Sequence, residues 1–229
     1  MKKIVVLSGA GISAESGIKT FRDADGLWEG HDVMEVASPE GWNANPKLVL
    51  DFYNQRRAQL KEVKPNRAHY GLVELEQDFE VVIITQNVDD LHERAGSKKV
   101  MHLHGALRKV RSIWDESLVL DWEGDLNLGD VGVDGKQLRP HIVWFGEAVP
   151  MMEAAVNEVS NADIVVIIGT SLQVYPAAGL VAYAERDIPV YYIDKRPANN
   201  YELAQTKNLT TIEALASEGV DQLIELLLK

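Results

Sequence analysis

No cysteine occurs among the 229 residues, so disulfides and thiolate metal sites are excluded from the start. Positive charge is also scarce: 23 Lys and Arg stand against 35 Asp and Glu, a net charge of -12. That balance argues against general adhesion to nucleic acid or to an anionic membrane, and fits, loosely, a cationic partner such as a lysine-bearing protein tail. No apolar run approaches the roughly 20 residues that cross a bilayer. Met1-Lys2-Lys3 leads into a short apolar run with no small-residue cleavage site before the first glycines, so no signal peptide is expected and the cytoplasm is the default. Internal repeats and low-complexity tracts are missing too. What is present is 46% hydrophobic residues, enough for a sizeable core in one domain plus a modest insertion.

The chain opens on Ile4-Val5-Val6-Leu7, a continuous apolar run suited to a strand buried on both faces of a parallel sheet. It stops at Ser8-Gly9-Ala10-Gly11-Ile12-Ser13-Ala14, where Gly9, Gly11 and Ala14 fit the spacing G-x-G-x-x-G/A. In that fingerprint the first Gly makes a tight turn, the second admits a pyrophosphate, and the third small residue packs helix on strand, with phosphate on the helix N-terminus. Three small residues after an apolar run also occur in tight turns that bind nothing. A dehydrogenase would carry a ribose-binding acid about 20 residues on, at the end of a second strand. Here that distance lands near Trp28-Glu29, after the polar segment Arg22-Asp23-Ala24-Asp25-Gly26, which does not read as a strand. A dinucleotide would have to be held differently.

From His31 to about Lys64 helical pieces are expected, broken at Ser38-Pro39 and Asn45-Pro46, with Leu48, Val49, Phe52, Tyr53, Arg56 and Leu60 on one side of a helix. Pro65-Asn66 restarts a helix that buries Ala68, Leu72, Val73 and Leu75. Strand-type runs return at Val81–Thr85, Val100–Leu103, Ile164–Ile168 and Pro189–Asp194, and three of them end in polar groups: Gln86-Asn87-Val88-Asp89-Asp90, His104-Gly105, and Gly169-Thr170-Ser171. Ligands bind at such strand ends in open α/β sheets, although Asn87 or Asp89 could also simply cap the helix through Leu91 and Arg94. Ala106 to about Val149 is rich in Gly-Asp pairs that read as hairpin turns. Helices are expected near Glu153–Val159 and Val220–Leu228. The expected fold is α/β, a doubly wound parallel Rossmann-like sheet built from 1–30, 65–105 and 150–229, with a smaller inserted domain from 31–64 (helical) and 106–149 (β).

Five stretches occur in order: Gly9-Ala10-Gly11-Ile12-Ser13-Ala14-Glu15-Ser16-Gly17-Ile18 with Thr20-Phe21-Arg22; Thr85-Gln86-Asn87-Val88-Asp89; His104-Gly105; Val143-Trp144-Phe145-Gly146-Glu147; and Gly169-Thr170-Ser171 with Val174-Tyr175-Pro176-Ala177. Through them the chain resembles the sirtuins, nearly end to end. The resemblance implies an NAD-dependent protein-lysine deacylase that consumes NAD and passes the acyl group from lysine to ADP-ribose, releasing nicotinamide. It implies that Gly9, Ala10 and Gly11, with Glu15 and Trp28 nearby, face NAD, and that Phe21 and Arg22 belong to a mobile lid over its nicotinamide and ribose. Gln86, Asn87 and Asp89 would line the nicotinamide and ribose pocket. His104 would be the general base on a ribose hydroxyl, since imidazole titrates near operating pH; His102 is excluded because the family's histidine directly precedes Gly. Gly169, Thr170, Ser171, Asp194, Lys195 and Ala216 would close on the adenosine side, with Asp194 standing where family members often carry Asn. Val143, Phe145, Gly146 and Glu147 would form a strand beside an acyl-lysine peptide.

Tyr53 and Arg56 share a helical face, and Phe52-Tyr53-x-x-Arg56 resembles the pattern of sirtuins that prefer succinyl- or malonyl-lysine: a guanidinium can grip the acyl carboxylate in two bonds and a phenol can donate a third. Otherwise Tyr53 simply packs and Arg56, like Arg57, lies in solvent. Most sirtuins also hold zinc on two C-x-x-C pairs in the small domain. None of those thiolates is here, so no zinc is expected, and Ile113, Trp114, Leu118, Val119, Leu120 and Trp122 are expected to form an apolar cluster in its place. Two rival readings use the same NAD site: mono-ADP-ribosyl transfer to protein, and a non-catalytic NAD-sensing module, the latter disfavoured by His104.

Overall fold

Runs of Ile and Val do become strands. In a computed structural model that describes residues 1–19, 27–198 and 200–229, the strands are β1 (Lys3–Ser8), β2 (Leu27–Trp28), β3 (His31–Asp32), β4 (Glu80–Thr85), β5 (Val100–His102), β6 (Gly105–Ser112), β7 (Val119–Asp121), β8 (Leu138–Ile142), β9 (Ile164–Ile168), β10 (Val190–Asp194) and β11 (Leu209–Glu213). The α-helices are α1 (Val33–Val36), α2 (Pro39–Ala44), α3 (Pro46–Gln59), α4 (Arg67–Leu75), α5 (Leu91–Ala95), α6 (Met152–Ser160), α7 (Tyr201–Ala204) and α8 (Ala216–Leu227). Phe21 and Arg22, expected in a lid, lie outside the described residues.

Six strands make one parallel sheet in the order β11-β10-β9-β1-β4-β5. The chain runs outward from β1 to β4 and β5, returns to β9 on the other side of β1, and continues outward. Strand order therefore reverses between β1 and β9, where a doubly wound sheet opens a crevice at its carboxyl ends. Both faces are covered, which is why the strands read as unbroken apolar runs. Val5, Leu7, Val82, Ile84, Val165 and Ile167 pack toward α6 and a 3-10 helix at Ala177–Tyr183. Ile4, Val6, Val81, Ile83, Val166 and Ile168 pack toward α4 and α8.

A second sheet, antiparallel in the order β7-β6-β8, belongs to the 106–149 stretch. The breaks expected in the helical stretch are caps: the side chains of Ser38 and Asn45 accept from the backbone of Gly41 and Leu48, each followed by Pro in the first helical turn. Asn54 and Arg57 of α3 tie this helical module to the β module. Asn54 exchanges hydrogen bonds with the backbone of Leu126, and buried Arg57 donates to the carbonyls of Leu107 and Gly124. Arg57 is thus not a solvent residue.

Three further expectations are corrected. The glycine turn after β1 continues as two short 3-10 turns, Ala10–Ile12 and Ala14–Ser16, not as a helix, so no helix N-terminus stands there to hold phosphate. Val143–Glu147 is a turn beyond β8, because Glu147 N bonds back to the Trp144 carbonyl and Gly146 takes φ 88°. The apolar cluster expected in place of zinc does not form as a unit. Trp114 is 79% exposed, Ile113 and Leu120 are also exposed, and only Leu118 and Trp122 pack, on Leu50, Val110, Leu126 and Leu138. The physical reason is that β7 is a three-residue edge strand with one face in solvent.

Candidate functional site

At the reversal between β1 and β9 two glycine turns lie back to back. Gly9 N donates to the Ile168 carbonyl at 3.2 Å and Gly11 N to the Gly169 carbonyl at 2.8 Å. A Cβ on Gly11 would stand 2.7 Å from Gly169, and one on Gly169, at φ +62°, would stand 2.2 Å from Ile12 N. Neither position admits a side chain, so backbone alone forms the floor of the crevice. The glycine spacing marks this place correctly, but its reason is turn-on-turn packing, and the Gly11 N–H is spent inside the protein.

The end of β4 supplies the polar wall. Ser13, fully buried between the turn and this wall, donates to Asp89 Oδ2 and accepts from Asn87 Nδ2, both at 3.0 Å. The Asn87 amide is thereby fixed with its nitrogen inward and its oxygen free to face the crevice. Burial raises the Asp89 carboxyl above its ordinary range, opposed by its bonds from Leu91 N and Ser13. Ser13 was legible only as part of the glycine motif; nothing in the sequence marked it as the hub. Gln86 Nε2 donates to Thr170 Oγ1 at 3.0 Å and joins this wall to the turn after β9.

Two histidines in this region are differentiated by their partners. His104 Nδ1 lies 3.1 Å from the Gln86 carbonyl, which can only accept, so Nδ1 carries the proton and Nε2 is left with its lone pair. Burial lowers the pKa of His104, so the ring is neutral at pH 7. His102 instead sits between two acceptors, the Asn87 carbonyl at 2.9 Å and Glu93 Oε1 at 2.7 Å. Burial pulls its pKa down, but Glu93 and the carbonyl outweigh that and raise it. A neutral ring with an open lone pair suits a base; a doubly donating ring suits a structural tie.

The glycine turns, the β4 end and His104, but not Ser13 or His102, line one cleft of about 360 Å3. Gly9, Ala10, Gly11, Glu15, Trp28, Gln86, Asn87, Asp89 and His104 face it, as do Gly169, Thr170, Ser171, Asp194, Lys195 and Ala216 and, on the small-domain side, Val143, Phe145, Gly146 and Glu147. Glu15 accepts from Ser217 N and Oγ and so braces the start of α8 beside Ala216. Asp194 Oδ1 accepts from Arg196 N at 2.8 Å. Glu147 is held by Arg139, Arg111 and Trp144 N; burial opposes its charge, yet these donors keep its carboxyl below the usual range. Lys19, Ala37, Val149 and Leu215 also reach the cleft without any signal in the sequence.

Tyr53 and Arg56 do not line that cleft. Tyr53 has no exposed surface, its hydroxyl accepts from Trp144 Nε1 at 3.0 Å, and burial raises its pKa. Arg56 borders a smaller cavity of about 40 Å3 that shares Ile18, Trp28, Val88 and Asp89 with the cleft wall. Its Nε and Nη1 are buried without a hydrogen-bond partner. Among the described residues no group of three or more His, Asp or Glu side chains is placed to hold a metal, and a chain without cysteine cannot supply the thiolate set of a zinc-bearing sirtuin.

A model of the Sir2 family matches residues 9–176. The chain is 61% identical over its full length to the NAD-dependent protein deacylase of Helicobacter pylori, covering 99% of that protein, and 54% identical, with the same coverage, to the NAD-dependent protein deacylase of Bacteroides thetaiotaomicron. Among solved structures it is similar to a Sir2 homologue mutant in complex with ADP-ribose (TM-score 0.88, 37% identity, 100% of this chain and 94% of the other). It is also similar to a Sir2 homologue–NAD complex (TM-score 0.86, 38% identity, 98% and 89%).

Proposed function

The chain belongs to the Sir2 family, and from that premise we propose that its crevice carries out NAD-dependent deacylation of protein lysines, with NAD consumed as co-substrate. The observation that carries this reading is His104: a neutral imidazole with Nδ1–H pinned to the Gln86 carbonyl, placed in one cleft with the paired glycine turns and the Asn87–Ser13–Asp89 wall.

In this reading Gly9, Ala10 and Gly11 leave room for the diphosphate, and Gly169, Thr170, Ser171, Asp194, Lys195 and Ala216 take the adenosine side. Gln86, Asn87 and Asp89 surround nicotinamide and its ribose, and Glu15 and Trp28 complete the cofactor wall. The acyl carbonyl oxygen forms a bond to the ribose carbon as the bond to nicotinamide breaks. His104 Nε2 then takes a ribose hydroxyl proton, that hydroxyl oxygen bonds to the acyl carbon, lysine leaves as the free amine, and a water adds to the acyl carbon so that its bond to the first ribose oxygen breaks and O-acyl-ADP-ribose is released. Most of the work is positioning and charge stabilisation. The acyl-lysine peptide lies along Val143–Glu147. A polypeptide partner is in keeping with a solved Sir2–p53 peptide–NAD+ assembly, similar to this chain at TM-score 0.80 and 30% identity. As a consumer of NAD and of acylated cellular protein, the enzyme is read as cytoplasmic; no helix among the described residues is long and apolar enough to cross a membrane.

The finer reading is a preference for acidic acyl groups, succinyl and malonyl, with deacetylation alongside. Its support is Arg56, a guanidinium with buried, unpartnered N–H groups beside the cleft wall, a state that an incoming carboxylate relieves. Tyr53, fully buried with its hydroxyl on Trp144, supports the same helix from within the core and does not itself reach the acyl group. Incubation with NAD and acetyl-, malonyl- and succinyl-lysine peptides tests both readings. Nicotinamide and free O-acyl-ADP-ribose should form one for one, with kcat/KM highest for the acidic acyl groups. Label from NAD appearing on protein would replace deacylation with ADP-ribosyl transfer.

A further inference from the structure

The small cavity beside the cleft contains a charge that an acid-binding site would be expected to avoid. Glu29 lines it together with Arg56, and its Oε2 stands 3.9 Å from Arg56 Nη1. That separation gives Coulombic attraction but no hydrogen bond, and the guanidinium Nε and Nη1 remain without acceptors. Arg56 also lies over the Phe52 ring, 5.1 Å from its centroid, which fixes the guanidinium in place. Both side chains of the pair are largely shielded from solvent, Arg56 at 15% and Glu29 at 12% exposure.

Glu29 is placed there by backbone. It sits in the two-residue turn between β2 and β3, at φ 50°, followed by Gly30 at φ 86°. A left-handed pair of this kind is the turn that suits a tight hairpin, but for a non-glycine residue it is costly. The same carboxylate oxygen has a second cation 3.2 Å away, Lys19 Nζ, whose side chain is 72% exposed. Glu29 therefore stands between an enclosed cation that lacks acceptors and an open one at the cleft wall.

We infer that Glu29 is a built-in counter-ion of the acyl site: it is shared between Arg56 and Lys19 in the free enzyme, is repelled by an acyl carboxylate that takes the Arg56 N–H groups, and is then left to Lys19. It is a specificity-determining residue that weakens recognition of acidic acyl groups and so keeps uncharged ones competitive. This inference rests on the acid-recognition reading of Arg56.

The test is the ratio of kcat/KM for succinyl- over acetyl-lysine peptide with saturating NAD, in wild type, Glu29→Gln, Arg56→Met and Lys19→Met. Two carboxylates held a few ångströms apart in a partly buried site repel strongly enough that Glu29→Gln should raise the ratio about tenfold. The gain should come through a lower KM for the succinyl peptide, where a merely structural loss would lower kcat for both peptides. Arg56→Met should lower the ratio, and Lys19→Met, which removes the nearer of the two cations at Glu29, should lower it as well. If Arg56→Met lowers the ratio while Glu29→Gln leaves it unchanged, the counter-ion inference falls and acid recognition stands. If Arg56→Met leaves the ratio unchanged, both fall. Should Glu29→Gln not fold, Lys19→Met decides: an unchanged ratio there refutes the inference.

Discussion

Acid lability should trace in part to a pair of buried histidines, and the share of one of them can be isolated. His69, on α4, and His92, on α5, are buried with ring centroids 5.0 Å apart, and His92 Nε2 meets Ser8 Oγ at 3.0 Å under the floor of the crevice. His69 Nε2 and His92 Nδ1 are buried without partners. Burial lowers His69 from 6.5 to about 4, and burial, with the charge of its neighbours, lowers His92 well below its ordinary value. A histidine depressed in the folded state binds its proton first in the unfolded chain. Its contribution is complete above the unfolded pKa of 6.5 and is lost as pH falls toward 4. For His69 the whole shift amounts to about 3 kcal/mol, of which about 2 kcal/mol is lost between pH 7.5 and 5. His102, raised in the folded state, acts in the opposite sense, so the wild-type slope alone does not isolate the effect.

The variant His69→Gln does isolate it. His69 Nδ1 faces the backbone N of Asn66 and closes a capping box whose other half is Asn66 Oδ1 accepting from Ala68 N. Glutamine at that position is the usual closing residue of such a box, so the cap survives while the titration goes. Urea unfolding at about pH 7.5 and about pH 5, followed by far-UV circular dichroism, should show the variant losing about 2 kcal/mol less than wild type over that interval. Equal losses would refute a contribution of this ring to acid lability.

Other outcomes follow from the same geometry. Gly169→Ala forces a Cβ to 2.2 Å from Ile12 N at a left-handed φ and should cost about 2 kcal/mol or more by thermal melting. Gly135→Ala, left-handed too but with nothing within 4 Å, should cost about 1 kcal/mol. His104→Asn should abolish O-acyl-ADP-ribose formation while leaving a measurable NAD-induced rise in melting temperature. In wild type, the fall of kcat on acidification should come at a lower pH than for a solvent-exposed histidine, because burial lowers the pKa of His104. Glu147→Ala takes the carboxylate from buried Arg139 and leaves Arg111 with Glu116, and should cost about 3 kcal/mol by urea unfolding.

The parallel sheet was readable because strands buried on both faces must be apolar throughout: Ile4–Leu7, Val81–Ile84 and Ile164–Ile168 could be little else. The sixth strand, β11, escaped notice because Leu209-Thr210-Thr211-Ile212-Glu213 lies at a sheet edge and buries only Ile212 fully. In the site, residues carrying a family pattern could be named, since motif and strand end coincide. Ser13 was not singled out, because its function is to orient Asn87 and Asp89, which are 74 and 76 residues away. Glu29 was passed over for a related reason. Its position near Trp28 was tested for a ribose acid at a strand end, whereas the chain folds it into a tight turn over Arg56.

The small domain shows the same separation between composition and contact. Without cysteine, the expected substitute for a metal was apolar area, and the sequence offers Trp114 and Ile113 for it, yet both are exposed. Leu107, Ile142 and Trp144 do pack on Phe52 and Tyr53 of α3, but polar and cationic contacts run beside them toward the cleft. Arg139 lies 3.2 Å over the Trp144 ring and grips Glu147 with two nitrogens, Arg111 reaches the same carboxylate, and Trp144 donates onward to Tyr53 on α3. A pair this buried earns its place less through net stability than by fixing one arrangement. What it fixes is the turn at Val143–Glu147, proposed here to carry the peptide, against the helix that holds Arg56. The ions that brace the small domain therefore also set the distance between the peptide path and the acyl pocket, so loosening Glu147 should disturb acyl selectivity as well as folding.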